Sequence, residues 1–226
     1  MNSLYLPRGT VYGTLLNFRR EFDWFAPQMT QAPYKAPPRA PVLYVKTANT
    51  FSANGSPVPV PAHVPQVEVG ATISIVFGPS GQQNHAQTAP LSIANWVLMN
   101  DFSVPHASYF RPPVKFKCLD GFLGVGADQV TAEALGDPGL VKLEVRINGE
   151  PKQTVDFFQL VRSAATLANE LSGFMTFREG DALMLGLDCL AGGGRPLARV
   201  GDHVEICSPS HAGFGVLSNT LIAEAP

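Results

Sequence analysis

The chain has 226 residues, enough for one large domain or for one domain with a small appendage. A composition of 45% apolar and 15% charged residues suits a well-buried core and excludes a disordered chain; a formal charge of −2, with no Lys/Arg-rich run, excludes a surface that tracks nucleic-acid phosphates. Cys118, Cys189 and Cys207 are odd in number and far apart, which points to a reducing cytoplasm and away from a disulfide framework or a cysteine zinc site. The sequence shows neither a signal peptide nor a bilayer-spanning apolar run.

The 20 prolines and 21 glycines predict many short elements. TVYGTLLNF (10–18) reads as a strand and 19–41 as a Pro- and aromatic-rich connection. VLYVKT (42–47) is a second strand. FSANGSPVPVPAHVP (51–65) has too many prolines for a full ladder, so it is an edge or a loop. VEVGATISIVFG (67–78) carries the strongest strand signal, and NWVLMNDFS (95–103) is another strand.

Apolar alternation at Leu143, Val145 and Ile147 runs into Asn148-Gly149, a hairpin signal. One principal helix is predicted over about 156–171, from Phe157, Leu160, Val161, Ala164, Leu167, Ala168 and Leu171 at helical spacing, with Ser172-Gly173 as its end. REGDALMLGL (178–187) and RVGDHVEICS (199–208) each place a Gly-Asp turn before an apolar strand; AGGGRP (191–196) between them is a loop. The fold class is therefore α+β, mainly β, built on a mixed sheet. Residues 1–41 form an N-terminal strand and connecting segment, and 42–226 the main domain.

Chemistry concentrates in NDFSVPHASYFRPPVKFKCLDG (100–121), where Asp101 ends an apolar strand and Lys115, Lys117 and Asp120 follow. A carboxylate there needs a charged partner or a cation if buried. Its plainer readings are a turn carboxylate for Asp101 and a surface ion pair for Lys117 and Asp120. The five histidines (63, 85, 106, 203 and 211) are scattered, and no G-x-S-x-G, P-loop or Cys/His nucleophile pairing occurs.

The order of motifs resembles the fumarylacetoacetate hydrolase family along almost the whole chain. The resemblance runs through LLN (15–17), VLYVKTANTFSANGSPVPVP (42–61), VEVGATISIVFG, VLMNDFS (97–103) as N-D-x-S and KCLDGF (117–122) as K-x-x-D. INGEPKQ (147–153), REGDALMLG (178–186) and GDHVEI (201–206) complete it. YKAPP (34–38) and YFRPPVKFKCLDGF (109–122) narrow it to the isomerase/decarboxylase branch of homoprotocatechuate (4-hydroxyphenylacetate) degradation, in which two family domains lie in tandem; this chain resembles the N-terminal one, separately encoded.

The resemblance implies a mixed β-sheet roll and a Mg²⁺ or Mn²⁺ ion held by an E-x-E pair and the N-D-x-S aspartate, an ion that chelates a 2-oxo acid or its enol. Carried onto this chain, it makes Asp101 the one retained metal ligand and gives Lys117 and Asp120 the K-x-x-D roles. Arg111, Lys115 and Lys117 become binders of the carboxylates of a small anionic 2-oxo or enol dicarboxylate. Gly70 and Thr72 stand where the two glutamates belong, with Glu68 about 7 Å further along the strand. Glu21 stands in place of the family's acid–base histidine, Pro105 in place of an arginine, and Gly186-Leu187-Asp188 in place of G-T-P. The expectation is a degenerate site with the metal absent or weakly held. The chain then serves as a cytoplasmic component of a 2-hydroxyhepta-2,4-diene-1,7-dioate isomerase / 5-oxopent-3-ene-1,2,5-tricarboxylate decarboxylase. The alternative is a metal-free, non-catalytic partner, as a homodimer or in a hetero-oligomer with a homologous chain of intact E-x-E; a different metal-free reaction is a minor third. Neither nucleic acid nor membrane is an expected partner.

Overall fold

Strands form where the sequence is apolar and β-branched, and among the described residues α-helices lie in four of the gaps between them. The computed structural model describes residues 5–79, 92–106 and 113–225, so Arg111 and His85 lie outside the described residues. In chain order the strands are β1 (Val11–Leu15), β2 (Val42–Lys46), β3 (Phe51–Ala53), β4 (Pro57–Val60), β5 (Val67–Glu68), β6 (Ala71–Phe77) and β7 (Ile93–Asp101). They continue with β8 (Leu123–Thr131), β9 (Lys142–Ile147), β10 (Glu150–Asp156), β11 (Ala182–Met184), β12 (Leu197–Ala198), β13 (His203–Cys207) and β14 (Val216–Ala223). The α-helices are α1 (Arg19–Met29), α2 (Val114–Lys117), α3 (Ala132–Leu135) and α4 (Ala164–Ser172).

A seven-stranded mixed sheet runs β2-β1-β11-β6-β7-β8-β3, and a five-stranded sheet runs β10-β9-β13-β14-β4. β12 and β5 form a short third pair. The two large sheets share one core. Ile73, Ile75 and Phe77 of β6 and Leu98 of β7 belong to the same apolar cluster as Leu143 and Val145 of β9, Val204 and Ile206 of β13 and Leu217 of β14. Each such side chain contributes about 1.5–3 kcal/mol when fully buried. The opposite face of the larger sheet curls around a smaller cluster that includes Val11, Leu15, Tyr44, Val97, Met99 and Val125. β6 is buried along its whole length, so that even Thr72 and Ser74, which alternate with its isoleucines, lie inside.

The proline-rich stretch does lie at an edge: among the described residues β4 is the outer strand of the smaller sheet, paired with β14. Asn148 and Gly149 both adopt positive φ, at 54° and 79°, as the two central positions of a type I′ hairpin turn require. The two Gly-Asp turns are structural repeats as well. The Asp181 carboxylate accepts the Arg178 N–H at 2.8 Å, and the Asp202 carboxylate accepts the Arg199 N–H at 2.7 Å.

The helical reading of about 156–171 needs correction at its start. β10 continues to Asp156, a 3₁₀ turn covers Phe157–Gln159, and α4 starts only at Ala164. The cause is Asn17. Its side-chain oxygen accepts the Arg162 N–H at 2.9 Å, its amide donates to the Arg162 carbonyl, and its backbone carbonyl accepts the Val161 N–H at 2.8 Å. These bonds hold residues 161–162 in a bend outside the helix until Ser163 caps it by accepting the Thr166 N–H. Phe157 is therefore buried from a turn rather than from a helix face.

The stretch read as connection, 19–41, opens with a second helix, α1, of eleven residues. It presents Glu21, Phe25 and Met29 at one-turn spacing, and Glu21 and Met29 are buried. A glutamate on the inward face hid the helical period, and Pro27 in the last turn reinforced the reading of a loop.

Candidate functional site

β2 brings the first part of the site. Tyr44 and Lys46 are two residues apart, so both point into the curl of the larger sheet. Gly13, the register partner of Tyr44 on β1, makes room for the ring: a Cβ at position 13 would lie 2.1 Å from it. The ring crosses the strand and its hydroxyl donates to Oδ2 of Asp101, the last residue of β7. Lys46 Nζ donates to Asp101 Oδ1 at 2.9 Å, to the Phe122 carbonyl at 2.8 Å and to the Lys117 carbonyl. Lys117, at the end of α2, donates from Nζ to Asp101 Oδ2 at 2.7 Å.

All four side chains are buried, and the electrostatics follow from that. Burial alone pushes the Asp101 carboxyl up, but Lys117 and Lys46 outweigh it and hold the group well below the usual carboxylate range. Burial and the Asp101 charge push the Tyr44 hydroxyl well above its ordinary value. Burial pulls Lys46 down, and Asp101 opposes it. Lys46 has all three N–H groups engaged, which makes it a structural cation. Lys117 gives one side-chain hydrogen bond among the described residues, and its Nζ lies 5.0 Å over the Tyr44 ring.

A second ionic group lies beside the first. Ser103 exchanges backbone hydrogen bonds with Glu68, and the Asp101 N–H donates to the Gly70 carbonyl at 2.8 Å, so the end of β5 runs alongside the end of β7. Glu68 Oε2 accepts from Arg195 at 3.4 Å. The other terminal nitrogen of Arg195 donates to Glu21 Oε1, and Glu21 Oε2 accepts the Leu16 N–H at 2.8 Å. Glu21 is fully buried and Arg195 is 7% exposed. Burial raises the Glu21 pKa, while Arg195 and the Leu16 N–H draw it back. His106 stacks on Phe116 with centroids 4.6 Å apart, and burial lowers its pKa.

The structure thus brings Asp101 and Lys117 together. It leaves Lys115 exposed, with Nζ 5.1 Å over the Phe116 ring. Asp120 is exposed and accepts from the Asn49 amide at 2.6 Å, so the ion pair read between Lys117 and Asp120 is replaced by one between Lys117 and buried Asp101. Tyr44, Lys46 and Arg195 were missed as site residues. Spacing of Tyr44 and Lys46 on one strand face is a usable signal. Arg195 offers none, because its partner Glu21 is 174 residues away.

The family's metal has no matching donor set in these residues. A Cβ on Gly70 would lie 2.6 Å from the Asp101 carbonyl, so that position has no room for a carboxylate. Thr72 is buried and its hydroxyl faces the Ile73 carbonyl. Both Asp101 oxygens are taken by Lys46, Lys117 and Tyr44, while Glu21 and Glu68 face Arg195. Among the described residues no three His, Cys, Asp or Glu side chains converge as a metal cage. The residues present do not fit a divalent ion. A cavity of about 230 Å³ opens beside Leu16, lined by Phe25, Met29, Tyr34 and Val42. Among the described residues no helix is long and apolar enough to cross a membrane.

Comparison with known proteins identifies the family and the fold. The family model described as "Fumarylacetoacetate (FAA) hydrolase C-terminal" matches residues 10–222. The 4-hydroxyphenylacetate degradation bifunctional isomerase/decarboxylase of Escherichia coli is 34% identical over 221 residues, 96% of this chain and 48% of that protein. The chain spans about half the length of the curated relatives it matches first. Among solved structures, the 2-hydroxyhepta-2,4-diene-1,7-dioate isomerase of Mycobacterium marinum is similar with a TM-score of 0.72 at 21% identity, covering 99% of this chain and 78% of that one. Fumarylpyruvate hydrolase of Pseudomonas aeruginosa, solved with Mn²⁺ and pyruvate, is similar with a TM-score of 0.70 at 20% identity, covering 96% and 90%. At these identities the solved structures establish the shared fold.

Proposed function

The chain belongs to the fumarylacetoacetate hydrolase family, and from that membership we propose that it is a component of a 2-hydroxyhepta-2,4-diene-1,7-dioate isomerase / 5-oxopent-3-ene-1,2,5-tricarboxylate decarboxylase in 4-hydroxyphenylacetate catabolism. The observation that carries this reading is the buried Lys117, held on Asp101 beside Glu21 and Arg195. Lys117 orients the oxygens of a 2-oxo or enol acid and stabilises negative charge as it develops there. Glu21, in the position of the family's acid–base histidine, takes or returns the proton, and its raised pKa suits that exchange. Arg111 and Lys115 receive the distal carboxylate. Asp120 acts as a positioning residue: through Asn49 it holds the turn that follows Lys117.

A second reading has its own supporting observation. Each buried acid at this site is tied to a cation of its own chain, which suits a non-catalytic partner of a homologous chain with intact glutamates. One assay separates the two. The purified chain is given the dienedioate and its ultraviolet absorbance is followed, alone and with a homologous chain. Turnover by the chain alone that Lys117→Met reduces at least about 100-fold supports the first reading. Turnover only in the mixture, unaffected by Lys117→Met, supports the second.

A further inference from the structure

Charge at the mouth of the roll is balanced within the chain. Among the described residues three buried carboxylates, Asp101, Glu21 and Glu68, meet three buried cations, Lys46, Lys117 and Arg195, and a further buried acid nearby, Asp188, has its own partner in Arg20. Lys46 and Lys117 account for Asp101, so Glu21 and Glu68 depend on one guanidinium. Its planar fork gives one terminal nitrogen to Glu21 and the other to Glu68. Arg195 is delivered there by the loop after three glycines. The Leu190 N–H donates to the Gly194 carbonyl at 2.9 Å and the Val69 N–H to the Pro196 carbonyl at 2.8 Å, which fastens the loop to the strand end that carries Glu68.

We infer that Arg195 is the resident cation of this site, holding Glu21 and Glu68 together in the electrostatic role of a divalent ion and keeping such an ion out. The physical reason is charge neutrality in a buried setting. Two carboxylates on one side chain cation, beside an aspartate that already has two, leave no negative charge for a further ion, and a doubly charged ion added here would be buried without compensation. The guanidinium is ionised at every accessible pH, so the exclusion is permanent. The inference rests on the functional reading above only in taking this ionic group as the working site of the fold.

The test is a Mn²⁺ titration followed by electron paramagnetic resonance, with melting temperatures recorded in Mn²⁺ and in EDTA. In the native chain Mn²⁺ stays free and the melting temperature is the same in both buffers. Arg195→Ala melts lower in EDTA, is raised by Mn²⁺, and binds it at least about tenfold more tightly than the native chain. Adding Glu68→Gln to Arg195→Ala abolishes that gain. Arg195→Lys keeps a cation and stays indifferent to Mn²⁺. The inference is overturned by Mn²⁺ uptake in the native chain that Glu68→Gln removes, by Mn²⁺ binding to Arg195→Lys, or by a folded Arg195→Ala chain that ignores the ion. If Arg195→Ala refolds only with Mn²⁺ the inference stands; if it refolds in neither buffer it falls. Absence of turnover sinks the functional reading and leaves this one untouched, whereas Mn²⁺ uptake by the native chain does the reverse.

Discussion

Tyr44 and Asp101 meet hydroxyl to carboxylate inside the roll, although β1, β11 and β6 lie between their strands in the sheet. The contact closes the curl of the larger sheet and draws Lys46 and Lys117 onto the same carboxylate. Stability and site geometry therefore depend on the same four side chains.

Replacing Asp101 by Asn leaves two buried ammonium groups without their counter-charge. The expected cost is roughly 3–5 kcal/mol at neutral pH, read from urea unfolding. Its pH dependence has a definite sign. The folded-state pKa of Asp101 lies below the ordinary 3.8, so between the two values the unfolded chain binds a proton that the folded chain does not. Stability rises with pH through that window, is fully present above it, and is lost as pH falls through the folded value. The gap between native and Asp101→Asn chains accordingly narrows in acid below the ordinary Asp range. A gap that stays constant there contradicts the assignment.

Gly13→Ala drives a methyl group into the Tyr44 ring and displaces it from Asp101. A cost of about 1–3 kcal/mol is expected. Combined with Tyr44→Ala the penalty largely disappears, so a double-mutant cycle gives a coupling of at least about 0.5 kcal/mol. Additive losses mean that the ring does not hold its strand-crossing position.

The two R-x-G-D turns make an internal comparison. Asp181 is buried and accepts the N–H groups of both Thr10 and Arg178, whereas Asp202 is more exposed and accepts from Arg199 and the Asn148 amide. Asp181→Ala is expected to cost about 2–3 kcal/mol and Asp202→Ala about 1 kcal/mol, because an orphaned buried N–H loses more than one open to water. Equal losses contradict burial as the deciding factor.

Asp120→Ala removes one exposed hydrogen bond, to Asn49. Thermal unfolding is expected to register a change within about 0.5 kcal/mol. A larger loss means that Asp120 supports the Lys117 segment more directly than through Asn49.

Local chemistry made much of the molecule readable in advance. β-Branched runs marked β6 and β7, Asn148-Gly149 marked the hairpin, and prolines marked the edge strand β4, because each acts within a few residues of chain. The same is true of Asp101, an acid at the end of an apolar strand. The readings failed where a distant residue overrode a local preference. Asn17 holds residues 161–162 in a bend and delays α4, and Arg195 pairs with Glu21 on the inward face of α1.

By itself the sequence determined strands β1, β2, β6, β7 and β9 and the turns, since periodicity and residue type are properties of short segments; β8 and β14 emerged only in the structure. Only the tertiary structure decided which cations neutralise the site's acids. Lys46 reaches Asp101 across 55 residues and Arg195 reaches Glu21 across 174, and those pairs exist because folding brings distant segments of the chain side by side. A side-chain pattern states which face a residue takes; it does not state which other face will come to meet it.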